Sequence, residues 1–449
     1  MPMDNATSAK PAAAAKRRAG LILVLPAVLA LYTAVNYYVG WHGELMLRAL
    51  DASRFAGIYW TLFALAAFGL LLGRLPGLPG AAKRLLKVAG YCHFGVLQYA
   101  LLLLPLADLA YLAAKPSSAE PESVRRLVLL LGGAVLALMA AVFARGFRNA
   151  RSPVVRAHDL EIPKPAGRIR RLHIAVVSDL HLGHLVGNRH LDRLLREMNR
   201  LRPDLILLAG DVIDDDIEPY IRNRMGERLK RLRAPLGVYA VLGNHEYYSG
   251  KIEAFVREMA DAGITVLRDE AKLVGGAFYV VGRKDRTAES ADPEGRKPVA
   301  SLVAPLDAAK PILVMDHQPT SYGEAEAAGA DLMISGHTHR GQMAPNHWIT
   351  RRLFELDWGY KRKGNMHAVV SSGFGTWGPP LRLMSRSEIV LLRVRFAEPS
   401  EAGAEHALQT EPSEAGAERA VQPEAAGRAE PSAPESAPDP QAPERGPAL

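Results

Sequence analysis

The 449-residue sequence predicts an α/β domain carried on a membrane-spanning region, and three observations lead there. Four apolar stretches crowd the first third of the chain. From about residue 170, short β-rich runs alternate with charged amphipathic segments. After residue 396 the chain is almost entirely Ala, Glu, Pro, Gly and Ser. The overall averages, 49% hydrophobic and 23% charged, would suit an ordinary globular protein, so the information lies in the unevenness. This length implies two or three structural units. The single cysteine, Cys92, sits inside an apolar run, which excludes a disulfide scaffold.

The apolar stretches fall at about 19–41, 55–73, 88–113 and 125–144 within a membrane region of residues 1–150. Each is long enough to cross a hydrocarbon core of about 30 Å at about 1.5 Å per residue. Lys16, Arg17 and Arg18 ahead of the first stretch would also suit a removable signal peptide. No small-residue cleavage site follows it, and three further stretches do. Their near-continuous apolarity, rather than a 3.6-residue stripe, argues against four buried helices of a soluble protein. Basic residues favour one side. Lys10, Lys16, Arg17 and Arg18 precede the first span; Arg74, Lys83, Arg84 and Lys87 fill the second loop; Arg145, Arg148, Arg151 and Arg156 follow the fourth. The remaining loops hold Arg48 and Arg54, and Lys115, Arg125 and Arg126. That bias predicts a multi-pass protein of the inner (cytoplasmic) membrane, with both termini and the α/β domain in the cytoplasm. Asn36, His93, Gln98 and Asp108 are too sparse to mark a transport pathway, although Asp108 in an apolar run stands out.

Residues 151–169 read as a polar linker with Pro153, Pro163 and Pro165. Within residues 170–396 the expected strands are His173–Ser178, Asp204–Ala209, Val238–Leu242, Phe278–Val281, Ile312–Met315, Asp331–Ile334, Ala368–Val370 and Ile389–Val394. Amphipathic helices are expected at His190–Leu201 and Tyr220–Leu232. The tail, 397–449, carries 11 acidic and 3 basic residues and repeats Glu-Pro-Ser-Glu-Ala-Gly-Ala-Glu at 398–405 and 411–418. It lacks the apolar surface to offset its ordering entropy and is expected to be disordered. The whole chain is +8, which leaves about +16 on residues 1–396 and points to anionic partners.

The chemistry is carried by five polar clusters, each ending an apolar run: Ser178-Asp179-Leu-His181, Gly210-Asp211-Val-Ile-Asp214, Gly243-Asn244-His245-Glu246, Asp316-His317 and Gly336-His337-Thr-His339. Side chains on strand C-termini converge on one rim of an α/β sheet. Two residues apart on an extended segment, Asp179 and His181 share a side, as do His337 and His339. Glycines before Asp211, Asn244 and His337 would permit sharp turns. Asp179, His181, Asp211, Asn244, His317, His337 and His339 make seven oxygen and nitrogen donors with no thiolate. That is more than one transition ion needs, and it suits two divalent ions bridged by a carboxylate.

In this order the clusters resemble the calcineurin-like metallophosphoesterases, whose pattern is Asp-x-His, Gly-Asp-x-x-Asp, Gly-Asn-His-Glu, His and Gly-His-x-His. The likeness spans about 170–395. Gly341-Gln342 and Gly373-Phe-Gly375-Thr…Pro380-Leu-Arg382 are similar to its membrane-associated YkuE/YaeI-type branch. Arg340, where that branch often has Gly, and Arg386-Ser387-Glu388, where it has Arg-Pro-Glu, depart from it. The resemblance implies a four-layer αββα sandwich. It assigns Asp179, His181 and His339 to one ion, Asn244, His317 and His337 to the other, and Asp211 to both. His245 would protonate the leaving oxygen or stabilise the transition state, oriented by Asp214. Asp215 and Asp216 are expected to be solvated, and His184 and His190, which have no motif position, to be surface residues. The ions would be Mn, Fe, Zn or Co, with Mn favoured.

It also implies hydrolysis of phosphodiester or pyrophosphate bonds. The expected substrate is a phosphorylated or nucleotide-linked lipid of the UDP-2,3-diacylglucosamine type, a step of lipid A biosynthesis. A phosphodiesterase for soluble nucleotides is the alternative, and a non-catalytic metal-binding scaffold or sensor is a second. In 348–363, Trp348, Arg351, Arg352, Phe354, Trp358, Tyr360 and Lys361–Lys363 interleave aromatic and basic groups, as at a lipid interface. The bilayer is thus the expected partner; no nucleic acid is expected, and no protein partner is identifiable.

Overall fold

The computed structural model describes residues 9–115 and 120–398, so the expected disordered tail lies outside the described residues apart from Ala397 and Glu398. Helices α1 (Ala9–Ala49), α2 (Ala56–Ala67), α3 (Gly69–Leu72), α4 (Gly80–Ala114) and α5 (Pro121–Arg151) form the N-terminal region. Among the described residues, three segments are long and apolar enough to cross a membrane: Val24–Ala49, Gly80–Ala114 and Pro121–Arg151. The expected span at 55–73 is instead divided at Phe68 into α2 and α3. Gly69 follows the break and lets the backbone press on α4, where an added Cβ would meet the Leu86 carbonyl.

The helical segments alternate in direction. Trp60 Nε1 donates to Glu44 (2.9 Å) and Tyr32 OH to the Ala67 carbonyl (2.6 Å), so α1 and the α2–α3 segment run antiparallel. Gly73 at the end of α3 packs on Lys83 at the start of α4, and Arg125 near the start of α5 donates to the Ala49 carbonyl (2.8 Å). The polar residues within the apolar stretches are paired. His93 Nε2 lies 2.6 Å from Asn36 Oδ1, and Tyr38 OH (2.6 Å) and His42 Nε2 (2.9 Å) both meet Asp108.

The remainder folds around two six-stranded sheets. The first contains β1 (Val154–Pro165), β2 (Arg171–Val177), β3 (Leu205–Ala209), β4 (Val238–Val241), β5 (Thr265–Leu267) and β12 (Glu388–Ala397), in the order β1-β12-β2-β3-β4-β5. The second contains β6 (Glu270–Val274), β7 (Phe278–Gly282), β8 (Ile312–Met315), β9 (Leu332–Ser335), β10 (Gly359–Lys363) and β11 (Met366–Val370), in the order β10-β11-β9-β8-β7-β6. Strands β2 to β5, and β7, β8, β9 and β11, pair in parallel.

Period-two alternation explains why two sheets stack. Leu172, Ile174 and Val176 face an inter-sheet core with Phe278, Val280, Leu313, Met315, Leu332 and Ile334. Ala175 and Val177 point the other way, onto a layer that includes α6 (Asn188–Leu201) through Leu191, Leu194, Leu195 and Met198. The outer face of the second sheet is covered by Val299, Leu302, Val303, Tyr322 and Ala325. Strands buried on both faces account for the unbroken apolar runs.

Two expectations need correction. The polar linker is mostly a 12-residue strand, β1, paired in parallel with β12 at the sheet edge. Its prolines are tolerated at an edge, and only Leu160 and Ile162 are fully inward, so its apolar signal is weak. The helix expected at Tyr220–Leu232 is two short helices, Glu218–Arg222 and Met225–Leu229, parted by Arg224 in left-handed conformation.

Candidate metal centre

All seven proposed ligands stand at or just beyond the C-terminal ends of strands: Asp179 and His181 after β2, Asp211 after β3, Asn244 after β4, His317 after β8, and His337 and His339 after β9. Parallel strands of both sheets deliver these ends to one rim. Asp179, His181, Asp211, His337 and His339 all have positive φ, between 46° and 71°. Such strain persists only where the surroundings over-determine it, and it clusters at functional sites. The expected glycine turns are realised in one case. Gly210 has φ 88°, and a Cβ there would strike the His317 ring. Gly243 is extended (φ −103°, ψ −174°), and its missing side chain instead gives room to the Asp211 carboxylate. Gly336 likewise leaves space for Ser178.

The donors gather in two groups that meet at Asp211. Asp179, His181 and His339 offer atoms within 4.8 Å of one another, as do Asp211, His317 and His337. His339 Nε2 lies 3.3 Å from Asp179 Oδ1 and 3.0 Å from His181 Nε2. On the other side, Asn244 Oδ1 lies 3.2 Å from His317 Nε2 and 2.9 Å from His337 Nδ1. Asp211 Oδ2 faces both groups, 3.0 Å from His317 Nε2 and 3.8 Å from His181 Nε2. Burial would raise the Asp211 carboxyl, but His317, His181 and His245 hold it well below the usual carboxylate range. It is therefore anionic.

These residues fit a pair of divalent ions. Imidazole nitrogens and carboxylate oxygens crowd one buried point, two nitrogens of like character, His181 Nε2 and His339 Nε2, stand 3.0 Å apart, and no thiolate is among them. His317 Nδ1 donates to the Ala209 carbonyl (2.7 Å), which fixes the ring with Nε2 turned toward Asp211 and Asn244, the nitrogen that would meet an ion.

His245 borders this cluster, its ring centroid 4.6 Å from that of His181. Asp214 was expected to orient it. Asp214 Oδ1 does lie 3.5 Å from His245 Nδ1, but Asp215 Oδ1 is nearer, at 2.7 Å. Asp215, exposed as expected, is nonetheless the nearer carboxylate; the turn after Asp211 brings both carboxylates to the imidazole. Burial opposes the charge on His245, but Asp215, Asp211 and Asp214 push its pKa up to about 9. Burial pushes Asp214 up to about 6, against the effect of His245.

Two further side chains shape the rim. Glu246 is fully buried and accepts from the backbone N–H groups of Asp211 (3.0 Å), Ile213 (3.0 Å) and Gly243 (2.6 Å), locking together the loops after β3 and β4. Arg382, also fully buried, donates to the Gly375 carbonyl and places Nη2 3.2 Å from His339 Nδ1. Both lie in segments quoted above, Gly-Asn-His-Glu and Pro-Leu-Arg, but their spacing alone gave them no role.

Other expectations resolve plainly. His190 is buried rather than on the surface, with Nε2 2.9 Å from the Phe374 carbonyl. His184 is mostly buried, 3.9 Å from Asp216. Asp316 is paired with Arg283 (3.2 Å) and Arg296 behind the rim. Arg340 adopts φ 51°, the conformation glycine takes most easily, with its guanidinium 3.8 Å over the Trp358 ring. In the Arg-Ser-Glu variant, Glu388 is buried and accepts from Ser372 N (2.7 Å), Arg156 Nε (2.9 Å) and Trp358 Nε1 (3.1 Å).

Comparison with known proteins agrees with this geometry. Residues 172–341 match the family model described as calcineurin-like phosphoesterase. An uncharacterized metallophosphoesterase of Aquifex aeolicus is 32% identical over 228 residues, covering 50% of this chain and 85% of the relative. A transmembrane protein with metallophosphoesterase domain from Danio rerio is 30% identical over 307 residues, 63% of this chain and 67% of the relative. The uncharacterized metallophosphoesterase YkuE of Bacillus subtilis is 26% identical over 230 residues, 49% of this chain and 78% of the relative. Sharing two stacked sheets, ligand-type residues at the strand ends and these relatives, the chain belongs to the calcineurin-like metallophosphoesterases, a family of phosphoester hydrolases.

Proposed function

We propose that this hydrolase works with two divalent ions on the phosphodiester or pyrophosphate bond of a lipid presented at the membrane surface. Asp179, His181 and His339 would hold one ion, Asn244, His317 and His337 the other, and Asp211 both. When bound, such a pair supplies Lewis-acid polarisation of a phosphoryl oxygen and an activated water at neutral pH. The chain's own part is to keep those donors fixed, to exclude bulk water by burial, and to hold a proton on His245, beside Asp215 and Asp214, for the leaving oxygen.

One observation carries the choice of a lipid. The two segments beside the site that fasten onto α4 also display large exposed apolar side chains: Trp348, Ile349 and Leu353 on one, Trp377 and Met384 on the other. Ala344 accepts from Gln98 (3.1 Å) and Tyr99 (3.0 Å), while Asn346 donates to Gln98 (3.2 Å), all on α4. The Trp377 ring is 6.3 Å from that of His245. Apolar groups held against a membrane-type helix, flanked by Arg351 and Arg352, suit a bilayer interface.

The same reading gives four crossings. The α2–α3 segment, 17 residues and about 25 Å long, runs antiparallel to α1 and packs its end against the start of α4. Both ends of the helical region then face the cytoplasm beside the catalytic domain, in the inner membrane.

The test is purified full-length protein with Mn²⁺, given a UDP-linked diacyl lipid or bis-p-nitrophenyl phosphate, beside Asp211→Ala and His245→Ala. Faster cleavage of the lipid, lost in both variants, is expected. Turnover of the small diester alone would move the substrate to soluble phosphoesters.

A further inference from the structure

We infer that the helix pair α4/α5 is a structural part of the metal centre, acting through the segment Phe374–Ser387 to hold Arg382 against His339. The inference rests on the reading of His339 as a ligand. Leu381 and Arg382, adjacent in sequence, face opposite ways. Leu381 is fully buried in a notch between the helices whose floor is two glycines. A Cβ on Gly95 would come 2.9 Å from Leu381 Cδ1, and one on Gly146 would come 3.1 Å from Leu381 Cδ2. Tyr99, Phe143 and Phe147 pack around it.

The backbone is fastened at the same place. Arg382 N donates to the Gly146 carbonyl (3.1 Å), Asn149 Nδ2 to the Arg382 carbonyl (3.0 Å), and Ser387 N to the Asn149 carbonyl (3.2 Å). From this anchored backbone the Arg382 guanidinium enters the site, grips the Gly375 carbonyl and reaches His339. Packed interiors transmit displacement because they have little free volume. A shift of α5 relative to α4 at the notch must therefore move Leu381, and Arg382 with it. Arg382 is a positioning residue: it orients the ligand and touches no reacting atom. The membrane region on this view is more than a tether, since its packing sets the affinity of one ion site.

The experiment uses full-length protein in nanodiscs, with Gly146→Val and Leu381→Ala as notch variants and Arg382→Gln at the other end. Gly133→Val is the control, because a Cβ at Gly133 on the same helix meets nothing within 4 Å. In metal-stripped protein, amide exchange over 374–387 should quicken in both notch variants and not in the control. Titration with Mn²⁺ should show one of two sites weakened about tenfold, the effect expected when support of a ligand is lost. With bis-p-nitrophenyl phosphate, kcat should fall while KM changes less than about twofold. Combining Gly146→Val with Arg382→Gln should add little to Arg382→Gln alone.

Wild-type exchange and Mn²⁺ binding in Gly146→Val, or losses that multiply in the double variant, would overturn the inference. Leu381→Ala keeps the test decisive if Gly146→Val fails to insert. If the wild-type protein hydrolyses nothing, the proposed function fails, while exchange and metal titration still decide this one.

Discussion

The two halves of the candidate metal centre are built from similar residues and supported differently. Around Asn244, His317 and His337 the support comes from the sheets themselves. The His317 ring is fixed by the Ala209 carbonyl at the end of β3, and Glu246 ties the loops after β3 and β4 together. Around Asp179, His181 and His339, the last of the three is met by Arg382, which reaches in from a segment anchored on α4 and α5. One half is thus as rigid as the strand ends, whereas the other is as rigid as the contact between domain and helices. A site on strands is held more tightly than one on loops, so disturbance of the helices should appear in the His339 half first.

The largest effect should come from the residue common to both halves. Asp211→Asn removes the shared charge, and several kcal/mol of lost stabilisation corresponds to about 10³-fold or more in kcat. Metal analysis should show both ions lost, and loss of only one would break the symmetry of the comparison. Next in size, His245→Ala should lower kcat by about 10²-fold or more with metal content unchanged. A variant that loses metal instead would make His245 a ligand. Replacing Arg382 with Lys should weaken only one of two Mn²⁺ sites, by about 10- to 100-fold; equal weakening of both would erase the difference between the halves. The smallest change should follow Arg351→Glu with Arg352→Glu. Each basic group contributes about 1 kcal/mol near an anionic surface, so lipid cleavage should drop and become less salt-sensitive, with small-diester cleavage unchanged. Equal loss on both substrates would remove the interfacial role.

Much of the site could be read from residue order because its chemistry is local. Asp-x-His and His-x-His are short enough that both residues of each pair reach one rim, and each pair lies near the end of an apolar strand. Asp215 escaped because the pattern favours Asp214, and the choice between neighbouring carboxylates depends on a turn. Arg382 and Glu246 escaped because their partners lie elsewhere in the chain, at His339 and at Asp211 and Ile213. In the fold, β1 was hidden by its charged, half-exposed edge, and the break at Phe68 by an apolar run that reads as continuous.

Composition and periodicity by themselves determined the apolar N-terminal region, the alternation of strands and helices beyond it, and the polar clusters at the strand ends. These follow from burial patterns within a few residues of each position. Tertiary structure alone decided which carboxylate meets His245, which side chains brace the ligands, and that a leucine beside the bracing arginine seats in a glycine-floored notch between two helices. Those are contacts across as many as 286 residues of chain, and no local pattern of polarity encodes them.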